Sequence, residues 1–147
     1  MDNLKSPIVC AKNAINKYMD PRHQKRINII QNLFAYDFSQ KTDTLPFPDC
    51  KTTLAVISKL EPIDKYINQY TDKYGRDKMA KTDLAILRLS VYELLYDKQN
   101  PDKVVVNEAI ELAKDMAGEQ AYAFINAILG KIIELKSKNE KPDQSGK

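Results

Sequence analysis

The sequence predicts an all-α protein of about seven helices. Three observations carry this. Apolar residues recur at three- and four-residue spacing through most of the 147 positions. Only four glycines interrupt the chain. The one β-like run, Val104-Val105-Val106, leads straight into NEAIELAKDMA, whose Ala and Glu content favours helix.

The elements follow in order. Ser6-Pro7 reads as an N-cap followed by proline at the first helical position. Ile8, Ala11, Ile15, Tyr18 and Met19 then line a helix within residues 1–20. Asp20-Pro21 repeats the start signal, and Ile27, Ile30, Phe34 and Phe38 form its apolar stripe. The segment KTDTLPFPDC, residues 41–50, holds two prolines and reads as a loop. Leu54, Ile57 and Leu60 suggest a short helix, which Pro62 ends or restarts. Ile63, Tyr66, Ile67, Tyr70 and Tyr74 continue until Gly75. Leu84, Leu87, Val91 and Leu95 line the next helix, with Arg88 inside the stripe. Asn100-Pro101 is a turn, and Gly118 separates the last two helices. The expected core of the C-terminal half is Leu84, Leu87, Val91, Leu95, Ile110, Ile125, Ile128 and Ile132. Residues 137–147 are polar and are expected to form a disordered tail.

Bulk properties narrow the function. The length suits one domain with a self-sufficient core. There is no run of 18 apolar residues, and the N-terminus alternates too finely for a signal peptide. These features predict a soluble, cytoplasmic protein with no membrane partner. The two cysteines, Cys10 and Cys50, form no C-x-x-C pair and read as reduced, mostly buried thiols. No glycine-rich phosphate loop is present. His23 is the only imidazole and lies among cations, which suits a surface histidine or an RNA-facing donor and not a general base. No cofactor, metal site or catalytic constellation is expected, so the protein is read as a non-enzyme.

Charge is uneven. Residues 1–31 carry six basic and two acidic side chains, while the remainder carries 17 basic and 18 acidic. A positive end suits a polyanionic partner. Arg22, Lys25 and Arg26 follow i, i+3, i+4 spacing, which predicts one cationic face at a helix start. Cations there oppose the helix dipole, so their presence hints at a use. Glu108 and Glu111 lie three apart on one helix and read as a solvated or salt-bridged face. Arg88, on an apolar stripe, needs an acidic partner, and Glu108 or Glu111 is the expected one. The tyrosine-rich stretch 66–74 and Phe124 read by default as core or core edge.

Two stretches resemble the NusB family of transcription antitermination factors. RHQKRINIIQNLFAYDFSQ, residues 22–40, is similar to the family's arginine-rich opening helix, with Gln31, Leu33 and Phe34 on its glutamine, leucine and aromatic positions. AILRLSVYEL, NEAIELAK at Asn107–Lys114, and FINAIL at Phe124–Leu129 match its C-terminal motifs in order. The resemblance implies two small packed helical bundles over residues 21–136, with residues 1–20 as an additional helix. It implies binding of a boxA-like single-stranded RNA of ribosomal RNA transcripts. It implies a small-subunit ribosomal protein as partner, and an indirect association with RNA polymerase and other Nus factors. By position it implies RNA contacts at Arg22, Lys25, Arg26, Gln31, Gln120 and Phe124, and protein-partner contacts at Phe34, Asp83 and Tyr92. The chain departs from the pattern in four places. His23 and Gln24 interrupt the arginine-rich start, residues 41–60 are short, and Ala127 and Gly130 replace a glycine and an aspartate. The alternative reading is a divergent protein–protein adaptor without specific RNA binding.

Overall fold

The computed structural model describes residues 20–71 and 79–145. The helix expected over residues 1–20 lies, apart from Asp20, outside them, as do Cys10, Tyr74 and Gly75. Among the described residues there are six helices and no strand. They are α1 (Pro21–Ser39), α2 (Lys51–Ser58), α3 (Leu60–Gln69), α4 (Lys81–Leu95), α5 (Asp102–Met116) and α6 (Glu119–Ser145).

The local signals act as their chemistry requires. The Asp20 carboxylate accepts from the Arg22 amide at 2.9 Å, and Pro21 occupies the first helical position, where no N–H is needed. α1 ends on Gln40, which takes a left-handed φ of 59° while its side-chain amide donates to the Tyr36 and Asp37 carbonyls. Pro62 sits in the first turn of α3, so it restarts the helix after Lys59 instead of breaking it. Val104–Val106 is helical, inside α5. Gly118, at φ 117°, closes α5 with its amide on the Ala113 carbonyl at 2.9 Å, a backbone shape that favours glycine. α6 runs to Ser145, past the end that the polar composition suggests. Lys, Glu and Gln are good helix formers whether or not they pack, so a polar stretch can extend a helix it does not anchor.

α4 is the hub. Ten of its 15 residues are buried, on every side of the helix. It packs against α1, α2 and α3 on one hand and against α5 and α6 on the other. A helix buried on every side belongs in the middle of a bundle, and the two groups share it as a common wall. Leu84, Leu87, Val91, Ile125, Ile128 and Ile132 are buried as expected. Leu95 is half-buried against the core. Ile110 is also only half-buried, and the small Ala109 and Ala113 face inward with Val105 and Leu112. The inward face of α5 is therefore one residue off the side that the largest aliphatics suggest. Alanines there let α4 and α6 approach closely.

The proline-rich loop is pinned by a buried amide. Asn32, fully buried in α1, donates to the Phe47 carbonyl at 2.9 Å and to Thr53 Oγ1 at 2.8 Å. Its oxygen accepts from the Phe47 amide at 2.8 Å. Both backbone groups of Phe47 are thus met inside the protein, and Leu45, two residues earlier in the loop, is buried.

Candidate nucleic-acid interface

The first two turns of α1 separate into buried anchors and exposed cations. Arg22 is exposed, with 73% of its side chain open, and reaches back to Asp20 at 2.9 Å. Lys25 is exposed. Arg26 is not part of that face. Its side chain is only 11% exposed, and it donates through Nε and Nη2 to both oxygens of Glu93 on α4, at 2.9 and 2.8 Å. Its other terminal nitrogen lies 3.6 Å from Glu108 of α5. The single cationic face predicted from i, i+3, i+4 spacing is therefore two residues, not three. Spacing fixes the side of the helix but not what covers it, and near Arg26 that side is covered by α4 and α5.

His23 departs further from its expected place. It is buried, 8% exposed, with Nδ1 at 2.7 Å from Glu108 Oε1 and Nε2 at 3.2 Å from Asp115 Oδ2, both on α5. It is neither a surface histidine nor an RNA-facing donor. Carrying the buried register of Ile27 and Ile30 back by four residues lands on positions 23 and 26, and that is the signal in the sequence that marks both as inward. The unfavourable cations at this helix start are answered by four carboxylates: Asp20, Glu93, Glu108 and Asp115.

The start of α6 lies at the same end, because Asp115 holds the first turn of α1 four residues before α6 begins. Gln120 is exposed there. Phe124 is half-buried and packs against the core. Lys114 sits 5.2 Å over the ring of Tyr122, which is part-exposed. Neither Lys114 nor Tyr122 was foreseen as a site residue, since an isolated Lys and Tyr on separate helices give no joint signal. Gln31 lies farther along α1 and is half-buried.

Two further aromatic pairs are part-exposed, one on α1 and one at the end of α4. Phe34 is exposed and meets Phe38, itself 65% exposed, edge to face at 5.1 Å. Tyr92 is half-buried and stacks at 5.9 Å on Tyr96, over which Lys59 Nζ lies at 5.2 Å. Burial pushes the Tyr92 hydroxyl above its ordinary range, with Asp97 adding to the effect. Asp83 sits half-buried in the first turn of α4, and burial raises its carboxyl above the ordinary value.

Arg88 pairs with neither Glu108 nor Glu111. Its Nε and Nη2 donate to the two oxygens of Asp64 on α3 at 3.0 and 2.9 Å, and Nη1 donates to Asp37 on α1 at 3.2 Å. Lys81 lies 2.6 Å from the other oxygen of Asp37. Glu108 is taken by His23 and Arg26, and Glu111 is exposed. The side of α4 that bears Arg88 faces α1 and α3, so the acids of α5 are out of reach. Burial alone disfavours charge on Asp37, but Lys81 and Arg88 outweigh it and hold the carboxyl below the usual range.

Among the described residues no helix is long and apolar enough to cross a membrane, and no group of three or more His, Cys, Asp and Glu is placed to hold a metal ion. Cys50 is half-buried at the start of α2.

Comparison with known proteins places this geometry in context. Residues 50–134 match the model of the NusB family. The transcription antitermination protein NusB of Finegoldia magna is 42% identical over 107 residues, covering 73% of this chain and 77% of that protein. The protein of the same name from Streptomyces avermitilis is 35% identical over 117 residues, covering 77% and 81%. Among solved structures, NusB of T. maritima superposes with a TM-score of 0.68 at 28% identity, covering 78% of this chain and 92% of that one.

Proposed function

The chain belongs to the NusB family, and from that membership we propose that it is a transcription antitermination factor that binds a boxA-like single-stranded RNA together with a small-subunit ribosomal protein. The single observation that carries the RNA part is the exposed pair Arg22 and Lys25 at the end of the molecule where α6 begins. Two cations one turn apart can follow neighbouring phosphates. Lys114, Tyr122 and Gln120 at the α5–α6 turn supply a further charge, a ring face and an amide for bases. Phe124 is half-buried and packs against the core, so its ring is not an open stacking platform. Arg26 supports the site by fixing α1 instead of touching RNA. The ribosomal protein is assigned to the surface of Phe34, Phe38 and Asp83, where exposed rings and an unneutralised carboxylate suit a basic partner. RNA polymerase and the other Nus factors associate through that complex.

The test is a titration of a short boxA-like RNA at several salt concentrations, with and without the ribosomal protein. Replacing Arg22 and Lys25 together by Ala is expected to weaken binding and to make the log–log salt slope shallower by about 1.4, at about 0.7 per phosphate contact on a single strand. An unchanged slope overturns the RNA assignment. If RNA fails to bind while the ribosomal protein does, the protein is an adaptor without specific RNA binding. That alternative is favoured by the engagement of both arginines of the helix start with carboxylates.

A further inference from the structure

α1 and α5 share little close backbone packing. What joins them at the first turn of α1 is a set of long polar side chains, and His23 is at its centre. Each ring nitrogen lies within hydrogen-bond distance of a different carboxylate, Glu108 at 2.7 Å and Asp115 at 3.2 Å. An ionised carboxylate only accepts, so both bonds form together only when both ring nitrogens carry hydrogen. The neutral ring has one N–H and keeps one of the two bonds. Its bare nitrogen then faces a carboxylate oxygen.

We propose that His23 is a proton-dependent positioning residue, whose imidazolium clasps the first turn of α1 onto Glu108 and Asp115 of α5 and so sets the placement of Arg22 and Lys25. The RNA consequence rests on the RNA-binding reading above; the clasp itself does not. Among the described residues, the charged groups around the ring come from three helices. α1 supplies Asp20, Arg22 and Arg26, α4 supplies Glu93 on the far side of Arg26, and α5 supplies Glu108 and Asp115. With the ring protonated, His23 and Arg26 stand against Glu93, Glu108 and Asp115. Loss of the proton removes one positive charge from this group. The end of the protein that meets phosphates then becomes more negative as its first turn loses a tether. Both effects act in the same direction, and RNA binding weakens as pH rises.

The experiment compares wild type, His23→Arg and His23→Gln in binding a short boxA-like RNA at fixed salt, from about pH 5.5 to about pH 8.5. Wild-type affinity is expected to fall about tenfold across the range, the scale of one lost charge-assisted hydrogen bond. His23→Arg carries a permanent charge and is expected to bind with a flat profile. His23→Gln is expected to be flat and weak. A wild-type profile parallel to that of His23→Gln overturns the inference. A second measurement needs no substitution. His23 is the sole histidine, so its ring signal in a proton NMR spectrum is unambiguous. Backbone amide signals of residues 22–26 and 108–115 are expected to move in step with it. Amide signals that stay still while the ring titrates refute the clasp. If RNA binds at no pH, the RNA-binding reading fails and the amide signals alone decide for or against the clasp.

Discussion

Replacing Arg26 by Met is expected to damage the fold and not the RNA contact. The Arg26 head is held by two charge-assisted hydrogen bonds at 2.9 and 2.8 Å, and the Glu93 side chain beneath it is only 8% exposed. Methionine fills the stem's volume but strands the Glu93 carboxylate. Breaking a buried pair from one side costs roughly 3–5 kcal/mol. Arg26 keeps an 11% exposed side chain, so water can reach the stranded group and the low end applies, about 3 kcal/mol. For a chain of this size that corresponds to a fall in Tm of roughly 6–12 °C. Thermal melts followed by circular dichroism measure it. The double variant Arg26→Met/Glu93→Met is expected to regain most of the loss, because the buried charge goes with its partner. Lys25→Ala, by contrast, is expected to melt within about 2 °C of wild type and to reduce the RNA salt slope. If Arg26→Met melts like wild type while its RNA salt slope falls, Arg26 is a phosphate contact and its assignment as an anchor is wrong.

Four further outcomes follow from the same contacts. Arg88→Met removes the two guanidinium hydrogen bonds to Asp64 while Lys81 still covers Asp37, so a loss on the order of 1.5–3 kcal/mol is expected in urea unfolding; an unchanged midpoint means that the triad does not stabilise the bundle. Asp37 is held below its ordinary 3.8, so its contribution is fully present above about pH 4 and is lost as pH falls through the lower folded value; Asp37→Asn is expected to flatten the acid limb of the stability curve. Burial raises the Asp83 carboxyl, so its charge carries a penalty that is absent in acid and grows as pH rises; Asp83→Asn is expected to raise the urea midpoint slightly at neutral pH while weakening the ribosomal-protein complex, and an unaltered affinity removes Asp83 from that interface. Leu87→Ala, at a fully buried position of the hub helix, is expected to cost about 2–5 kcal/mol by calorimetry or urea, and a neutral result would mean that α4 is not the common wall of the two groups.

Much of the fold was legible because its signals are local. Asp20-Pro21 starts a helix whatever lies elsewhere in the chain, and Gly118 ends one because its backbone shape favours glycine. The periodic stripe of Leu84, Leu87, Val91 and Leu95 announces a helix, though not its burial on every side. Ile110 shows where this stops. The choice of inward face on α5 depends on how closely α4 and α6 approach, and alanine wins there because it is small. Asn32 shows the same limit for polar groups, since its partners on Phe47 and Thr53 exist only once the loop has folded back over α1.

The candidate site was less legible, for a reason visible in Arg88. Its place in an apolar stripe does imply a buried charge that needs acids. Nothing in the stripe selects Asp64 and Asp37, 24 and 51 positions away, over Glu108, since the choice depends on which helix lies against that side of α4. Arg26 and His23 repeat the case from the opposite direction. Read alone, Arg22 to Arg26 is a basic cluster, and counting charges treats its members as equivalent. Read with the buried Ile27 and Ile30, the cluster divides by helical register. Positions 23 and 26 extend the inward stripe, and positions 22 and 25 stay open to solvent. The anchors are as charged as the contacts because a helix start meeting two acidic helix faces needs cations to be held there at all. Charge in this segment therefore tethers α1 through its buried members and leaves its exposed members for the proposed polyanion contact, and the buried register tells which residue is which.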